Sequence, residues 1–452
     1  MKNIYKTYTK IVLSVIVLLF VACEDYVDVD PQNSLNASDA LNSHEKVLGA
    51  LNGVYNSMSS TSLLGGDLIF VSELLGADGK ITFGGTFDDP RQIINKQILT
   101  NNSRVNAIFN AAYYAINNAN LVLEALEFVD ESERDRVRGE ALFARGLMHF
   151  ELVKLYAKPY SDGNASANPG VVIRTSASPL NGADIEDDCA SRSSVQEVYE
   201  QVLEDLTTAV GLVPTSNSIY ADKSTVNTIL SRVYLQMSNY VDARDAANDA
   251  IQQSGASLVP TYRFAFAQDG NTSEDIFAIQ VSEIDGVNGM NTFWAPSSQG
   301  GRGDVRVTAG FASFLTGQNR GFNADPNITM IIDPYTTKWF NQFGNVQVAR
   351  LTELLLTRAE SNLEEGTSVG ASPQQDLDMV RSRVGLPSIA ANVSSVFNER
   401  ISELAFEGFY LHDMKRRQLS VEGLNFDADV LVFPIPQNQI NACPNTIQNS
   451  GY

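Results

Sequence analysis

The chain has 452 residues, 44% of them hydrophobic and 19% charged, with 32 Lys and Arg against 53 Asp and Glu and a net charge of −21. That hydrophobic share excludes wholesale disorder, and so acidic a chain is a poor match for nucleic acid or an anionic membrane surface. Three Cys and three His, none close together, exclude a zinc framework and a disulfide-dense scaffold.

Lys2, Lys6 and Lys10 precede an apolar stretch from Ile11 to Ala22, and Cys23 follows. A basic start, an apolar core and a small residue at the junction predict a secretory leader over 1–22, too short to span a bilayer. Phe20-Val21-Ala22-Cys23 resembles a lipobox, in which Cys23 is acylated and becomes the first mature residue; Phe20 stands where Leu is usual. Residues 23–36 read as a lipidated, acidic tether. Lipid chains anchor such a protein where its own charge cannot. Cys189 and Cys443 are free to pair in an oxidising compartment, and sequence leaves that pairing open.

Further on the periodicity is helical. Over 139–156, Phe143, Leu147, Phe150 and Val153 form one apolar row and Met148, Leu152 and Leu155 a second, which predicts a helix buried around much of its circumference. Val198, Val202, Leu206, Ala209 and Val213 form another stripe, capped near Ser193-Ser194 and ended by Pro214. Residues 224–255 read as a tetratricopeptide-like (TPR-like) pair, with Leu230, Ser231 and Tyr234 on one helix, a turn at Ser238-Asn239, and Ala243, Ala247 and Ala250 on the next. Helical pairs are also expected over 347–366 with 372–384, and over 394–419.

Two regions break the pattern. Residues 60–96 carry Gly65-Gly66, Gly76, Gly79 and Gly84-Gly85 beside Phe83, Phe87 and Asp88. Residues 260–346 mix short alternating runs, such as 276–281, with Gly and Pro, and hold both tryptophans, Trp294 and Trp339. Long irregular segments on a helical scaffold are where ligands are expected. Sugar binding uses flat apolar faces flanked by groups that bond hydroxyls. Asn291, Phe293, Trp294 and Arg302 offer that mixture, and Phe83, Phe87 and Asp88 offer a second; Trp339 reads as core.

Glu140 to Arg145, Leu152 to Tyr156, Gly170 to Thr175, Arg192 to Tyr199, Val348 to Glu360, Val380 to Pro387 and Glu399 to Gly408 then follow in order, with Asp413 and Arg416. The chain closes on Phe433-Pro-Ile-Pro-Gln437 and Ile447-Gln-Asn-Ser-Gly-Tyr452. Together with the lipobox, these segments resemble the SusD/RagB lipoproteins of Bacteroidetes from Cys23 to Tyr452. The resemblance implies a mainly α fold, a TPR-like helix-pair superhelix with long irregular loops and small β elements. It divides the chain into an N-terminal helical region, 37–257, and a C-terminal region, 258–452, that includes the ligand-facing loops. It further implies a non-catalytic binding protein on the outer face of the outer membrane, a lid over a SusC-like TonB-dependent transporter. Such a protein captures an oligosaccharide or, in the RagB branch, a peptide; the acidic run after Cys23 resembles that group's export signal.

The residues point to no catalysis, no cofactor and no metal. Glu399, Arg400, Glu403 and Glu407 share one expected helix and, with Asp413 and Arg416, read as ion pairs between repeat helices rather than an acid–base cluster. His149 and His412 read as core or capping residues. Gly300 to Asp304 reads as a flexible loop. A TPR-like scaffold that binds only another protein and a periplasmic-facing lipoprotein enzyme are the remaining alternatives.

Overall fold

The computed structural model describes residues 41–178 and 189–452, so the leader, Cys23 and the tether lie outside the described residues. Ser43 accepts from the Lys46 N–H and caps the first helix, α1 (His44–Met58). Next come α2 (Asp67–Leu75), β1 (Ile81–Phe83), α3 (Asp88–Ile94), α4 (Ser103–Glu124), α5 (Glu131–Tyr156), α6 (Val195–Leu212), α7 (Lys223–Gln236) and α8 (Tyr240–Ser254). The second half holds β2 (Asp275–Ile279), α9 (Gly289–Trp294), β3 (Val305–Val307), α10 (Ala309–Gly317), β4 (Ile331–Ile332), β5 (Tyr335–Thr336) and β6 (Val346–Arg350). It ends with α11 (Leu351–Glu365), α12 (Pro373–Arg383), α13 (Val393–Glu403), α14 (Tyr410–Arg416) and α15 (Gln437–Ala442).

The helices stack in sequence: α1 on α4, α4 on α5, α5 on α6, α6 on α7, α7 on α8, and α8 across to α11. This is the TPR-like helix-pair superhelix that the resemblance implies. In the 224–255 pair, Ala243, Ala247 and Ala250 are fully buried, and Asn239 caps α8 by accepting from the Asp242 N–H. Ser194 and Glu197 close a capping box on α6. The expected division at 257/258 falls between α8 and β2, and the main hydrophobic core runs from Val47 to Ile435 through both parts.

Three two-stranded antiparallel sheets sit on this scaffold among the described residues: β1–β3, β2–β6 and β4–β5. Two expected helices differ, one at its start and one in its middle. The 347–366 helix starts at Leu351, because Val346–Arg350 pairs with β2 as a strand. The 394–419 helix is broken between α13 and α14, where Phe406 (φ +67°) and Gly408 (φ +83°) take left-handed backbone. The buried Phe406 ring packs on Trp294 and Phe311, which holds the break in place. Cys189 and Cys443 form a disulfide, with Cα atoms 5.0 Å apart.

Candidate functional site

The β1–β3 register, Ile81 opposite Val307 and Phe83 opposite Val305, brings the two irregular regions together. The Gly84 N–H extends the pairing by donating to the Asp304 carbonyl at 2.7 Å. Gly85 then passes where no larger residue fits: a Cβ there would lie 2.5 Å from the Phe83 ring and 2.6 Å from the Asp304 carboxyl carbon. This close approach turns the chain so that Thr86 and Phe87 meet Arg302, with Asp88 next in the chain. The two separate clusters expected from sequence are therefore neighbours in one site.

At its surface, Phe87 is 45% exposed and Arg302 and Asp88 are exposed as well. The Arg302 guanidinium lies 4.6 Å from the centre of the Phe87 ring. It donates through Nε to Asp304 Oδ2 at 2.7 Å and through Nη2 to Thr86 Oγ1 at 3.3 Å. Asp88 accepts from Gln92 Nε2 at 2.7 Å on the first turn of α3. The result is an exposed ledge with an aromatic ring, a guanidinium held by a carboxylate, and a carboxylate on the rim. Such a surface meets the C–H face of a sugar and bonds its hydroxyls.

Beneath the ledge lies a buried aromatic layer. Phe293 stacks on Phe70 with centroids 4.5 Å apart and meets Phe87 edge-on at 6.3 Å. Phe83, half-buried, sits 6.4 Å from Phe70. Arg104 lies 4.9 Å from the Phe293 centroid and ties α2, α3 and α4 together through Asp67 and Asp89. Burial pushes the Asp67 carboxyl up to about 6, against the pull of Arg104.

Three of the expected ligand contacts are interior residues. Trp294 is 1% exposed and Phe293 6%, and Asn291 is fully buried. The cause is α9's seat against the Gly65-Gly66 turn: the Gly289 N–H donates to the Gly65 carbonyl, and a Cβ on Gly66 would lie 3.0 Å from Gly289 Cα. Asn291 instead organises the loops, donating through Nδ2 to the carbonyls of Gln299, Trp339 and Phe340 at 3.2, 2.9 and 3.0 Å. Trp339 is 3% exposed, in the core as expected.

An open cleft of about 450 Å³, with Gln299 at its edge, lies in the 260–346 region. Half-buried Phe340 and Phe343, with Asn341, Gln342 and Arg263, line it. Asn341 Nδ2 donates to Asp269 Oδ1 at 2.8 Å, and Arg263 donates to the carbonyls of Pro326 and Thr329 at 3.0 and 2.9 Å. The sequence reading missed these residues, although the run Phe340-Asn341-Gln342-Phe343 carries the same aromatic–amide mixture.

The titratable clusters outside the site are structural. His149 is fully buried, its Nε2 accepting from the Arg174 N–H, and burial drives its pKa down to about 4. His412, also buried, meets Ser72 Oγ at 3.2 Å and stays neutral for the same reason. Glu399 and Glu403 pair with Arg320, Glu407 with Lys338 and Arg350, and Asp413 with Arg400 and Arg416. Among the described residues, no group of three or more His, Cys, Asp and Glu side chains is arranged to hold a metal ion.

Residues 25–235 match a SusD-like family model described as starch-binding and associating with the outer membrane, and residues 318–428 match the SusD family model. The chain belongs to the SusD/RagB family.

SusD-like protein P2 of Formosa agariphila is 26% identical over 522 aligned positions, covering 98% of this chain and 99% of the relative. A SusD superfamily protein of Bacteroides thetaiotaomicron superposes with a TM-score of 0.75 at 22% identity, over 90% of this chain and 99% of that one. A laminarin-binding SusD-like protein superposes at 0.72 with 21% identity, over 91% and 100%. These likenesses show a shared fold for this SusD/RagB chain. Among its described residues no helix is long and apolar enough to cross a membrane.

Proposed function

We propose that this SusD/RagB protein is a non-catalytic, surface-exposed glycan-binding lipoprotein. It is anchored through Cys23 in the outer membrane, faces the exterior, and passes its oligosaccharide to a SusC-like TonB-dependent transporter for nutrient uptake. The observation that carries this reading is the meeting of Phe87 and Arg302 on one exposed ledge, with Asp88 next to Phe87 in the chain and an open aromatic–amide cleft that Gln299 of the Arg302 loop lines. The laminarin-binding neighbour and the starch-binding description of the family model support a carbohydrate ligand. The Cys189–Cys443 disulfide supports export to an oxidising compartment. In this reading residues 37–257 supply the rigid helical scaffold, and 258–452 supply most of the ligand-facing loops. With a net charge of −21 the preferred ligand is a neutral glycan rather than an acidic one.

The alternative within the family is a peptide ligand, as in the RagB branch. It is favoured by one observation: both tryptophans are buried, so neither indole reaches the surface. Calorimetric titration of the full-length protein in mild detergent separates the two. Saturable binding of a neutral glycan is expected, while binding of mixed peptides alone overturns the carbohydrate reading.

A further inference from the structure

A second cleft, of about 190 Å³, shares no residue with the ledge or its neighbouring cleft. One wall is a stripe along α1 and its C-cap: Asn52, Tyr55, Asn56 and the capping Ser59 recur at the spacing that puts them on one helix face. Tyr220 closes over this stripe, its ring 4.8 Å from that of Tyr55 at an angle of 59°. The end of β2 and Gln280 form the opposite side.

The Tyr220 loop is set in advance. Ser218 holds a left-handed backbone (φ +56°), which a non-glycine residue adopts at a conformational cost. Asn217 closes the loop, accepting from the Tyr220 N–H at 3.0 Å and donating through Nδ2 to the Ala221 carbonyl at 2.9 Å. The Tyr220 hydroxyl donates to Asn52 Oδ1 at 3.2 Å, and the Ala221 N–H donates to the Tyr55 hydroxyl at 3.1 Å. These bonds leave the Tyr220 ring half-exposed. The Asn56 side chain is exposed and makes no hydrogen bond among the described residues.

No residue lining this cleft carries a formal charge, although 19% of the chain is Asp, Glu, Lys or Arg. Aromatic rings with open amides and a hydroxyl fit a ligand that presents C–H faces and uncharged hydroxyls. Nothing in the lining would attract an ion, a nucleotide or a charged peptide terminus. We infer that the Tyr55–Tyr220 cleft is a second carbohydrate site that takes a neutral saccharide unit independently of the ledge. The inference rests on the carbohydrate reading above, and its test keeps the two apart.

The test titrates a neutral oligosaccharide into the full-length wild-type protein and into Phe87→Ala, Tyr220→Ala and Asn56→Leu variants, singly and combined. The expected result is that Phe87→Ala retains residual saturable binding, that adding Tyr220→Ala abolishes it, and that adding Asn56→Leu weakens it about tenfold, as loss of one hydrogen bond does. Asn56 is exposed, so its substitution acts without disturbing the fold, and a matching melting temperature verifies this. Loss of all binding in Phe87→Ala alone overturns the second site and leaves the ledge standing. Residual binding indifferent to Tyr220→Ala and Asn56→Leu also overturns it. Binding lost in Tyr220→Ala but intact in Phe87→Ala overturns the ledge and keeps the cleft. No binding by the wild-type protein overturns both.

Discussion

Glu73 is 4% exposed, its Oε1 accepting from the Gly408 N–H at 2.7 Å, and it joins α2 to the break between α13 and α14. Burial raises its pKa to about 7, although Lys80 and Lys338 pull the other way. A carboxyl whose folded pKa lies above its ordinary value stabilises the fold when protonated. Its contribution is complete below about 4.5 and is lost as pH rises through about 7. Glu73→Gln keeps the acceptor and removes the ionisation. Urea unfolding should show it more stable than wild type by about 2 kcal/mol at pH 8, with the gain vanishing near pH 4.5. At this same scale Trp294 marks the limit of reading residues by type. An indole in a Gly-rich segment has the chemistry of a sugar platform, but its exposure depends on Gly289 meeting Gly66, 223 residues earlier in the chain. Phe87 carries the same chemistry and does reach the surface.

Among the elements, α5 was the most legible. Its two apolar rows predict burial around much of its circumference, and Phe143, Leu147, Met148, Phe150, Leu152, Val153 and Leu155 are at most 1% exposed. Between the rows Gly146 lets α6 approach: a Cβ there would lie 3.1 Å from Asp205 Cβ. Beside it Arg145 forks onto Asp205, with Nε and Nη2 at 2.9 and 2.6 Å. Gly146→Leu should therefore force α5 and α6 apart and destabilise the protein by about 2–3 kcal/mol, read as a lower urea midpoint. The strands were poorly legible because each needs a distant partner. Val346–Arg350 runs straight into the apolar periodicity of α11 with no capping residue to mark the boundary, and it becomes a strand through β2 some 70 residues away. The break after α13 was likewise hidden: Gly408 was visible, but Phe406 is left-handed only because its ring is trapped beside Trp294.

Across the whole molecule, a buried ion network joins segments far apart in sequence. Glu403 accepts from Arg320 and Arg350 at 2.8 and 2.7 Å and also pairs with Arg383, while Glu274 and Glu407 take further bonds from Arg350 at 2.7 Å each. The spacing of Glu399, Glu403 and Glu407 foretold ion pairs, but their partners come from β6, α12 and the 318–338 segment, which no local pattern names. Burial opposes ionisation of Glu403, yet Arg383, Arg320 and Arg350 hold it well below the usual carboxylate range. Glu403→Gln should cost about 3–5 kcal/mol in unfolding titrations, since it strands buried guanidinium groups. Nearby, Arg416, Arg400 and Arg417 overcome burial to hold Glu360 at about 2. Because that pKa is depressed, its stabilisation is present above about 4.5 and is lost as pH falls through about 2. Acid unfolding of Glu360→Gln should accordingly lack this steep loss.

The Phe87–Arg302 ledge is also a whole-molecule feature, since β1–β3 pairing brings Phe87 to Arg302 across more than two hundred residues. The most direct measurement is calorimetric titration of the best-binding neutral glycan into wild type and Phe87→Ala, with melting temperatures recorded for both. The account predicts at least about a tenfold loss of affinity, or about 1.4 kcal/mol, with an unchanged melting temperature. Equal affinities for the two proteins would contradict it.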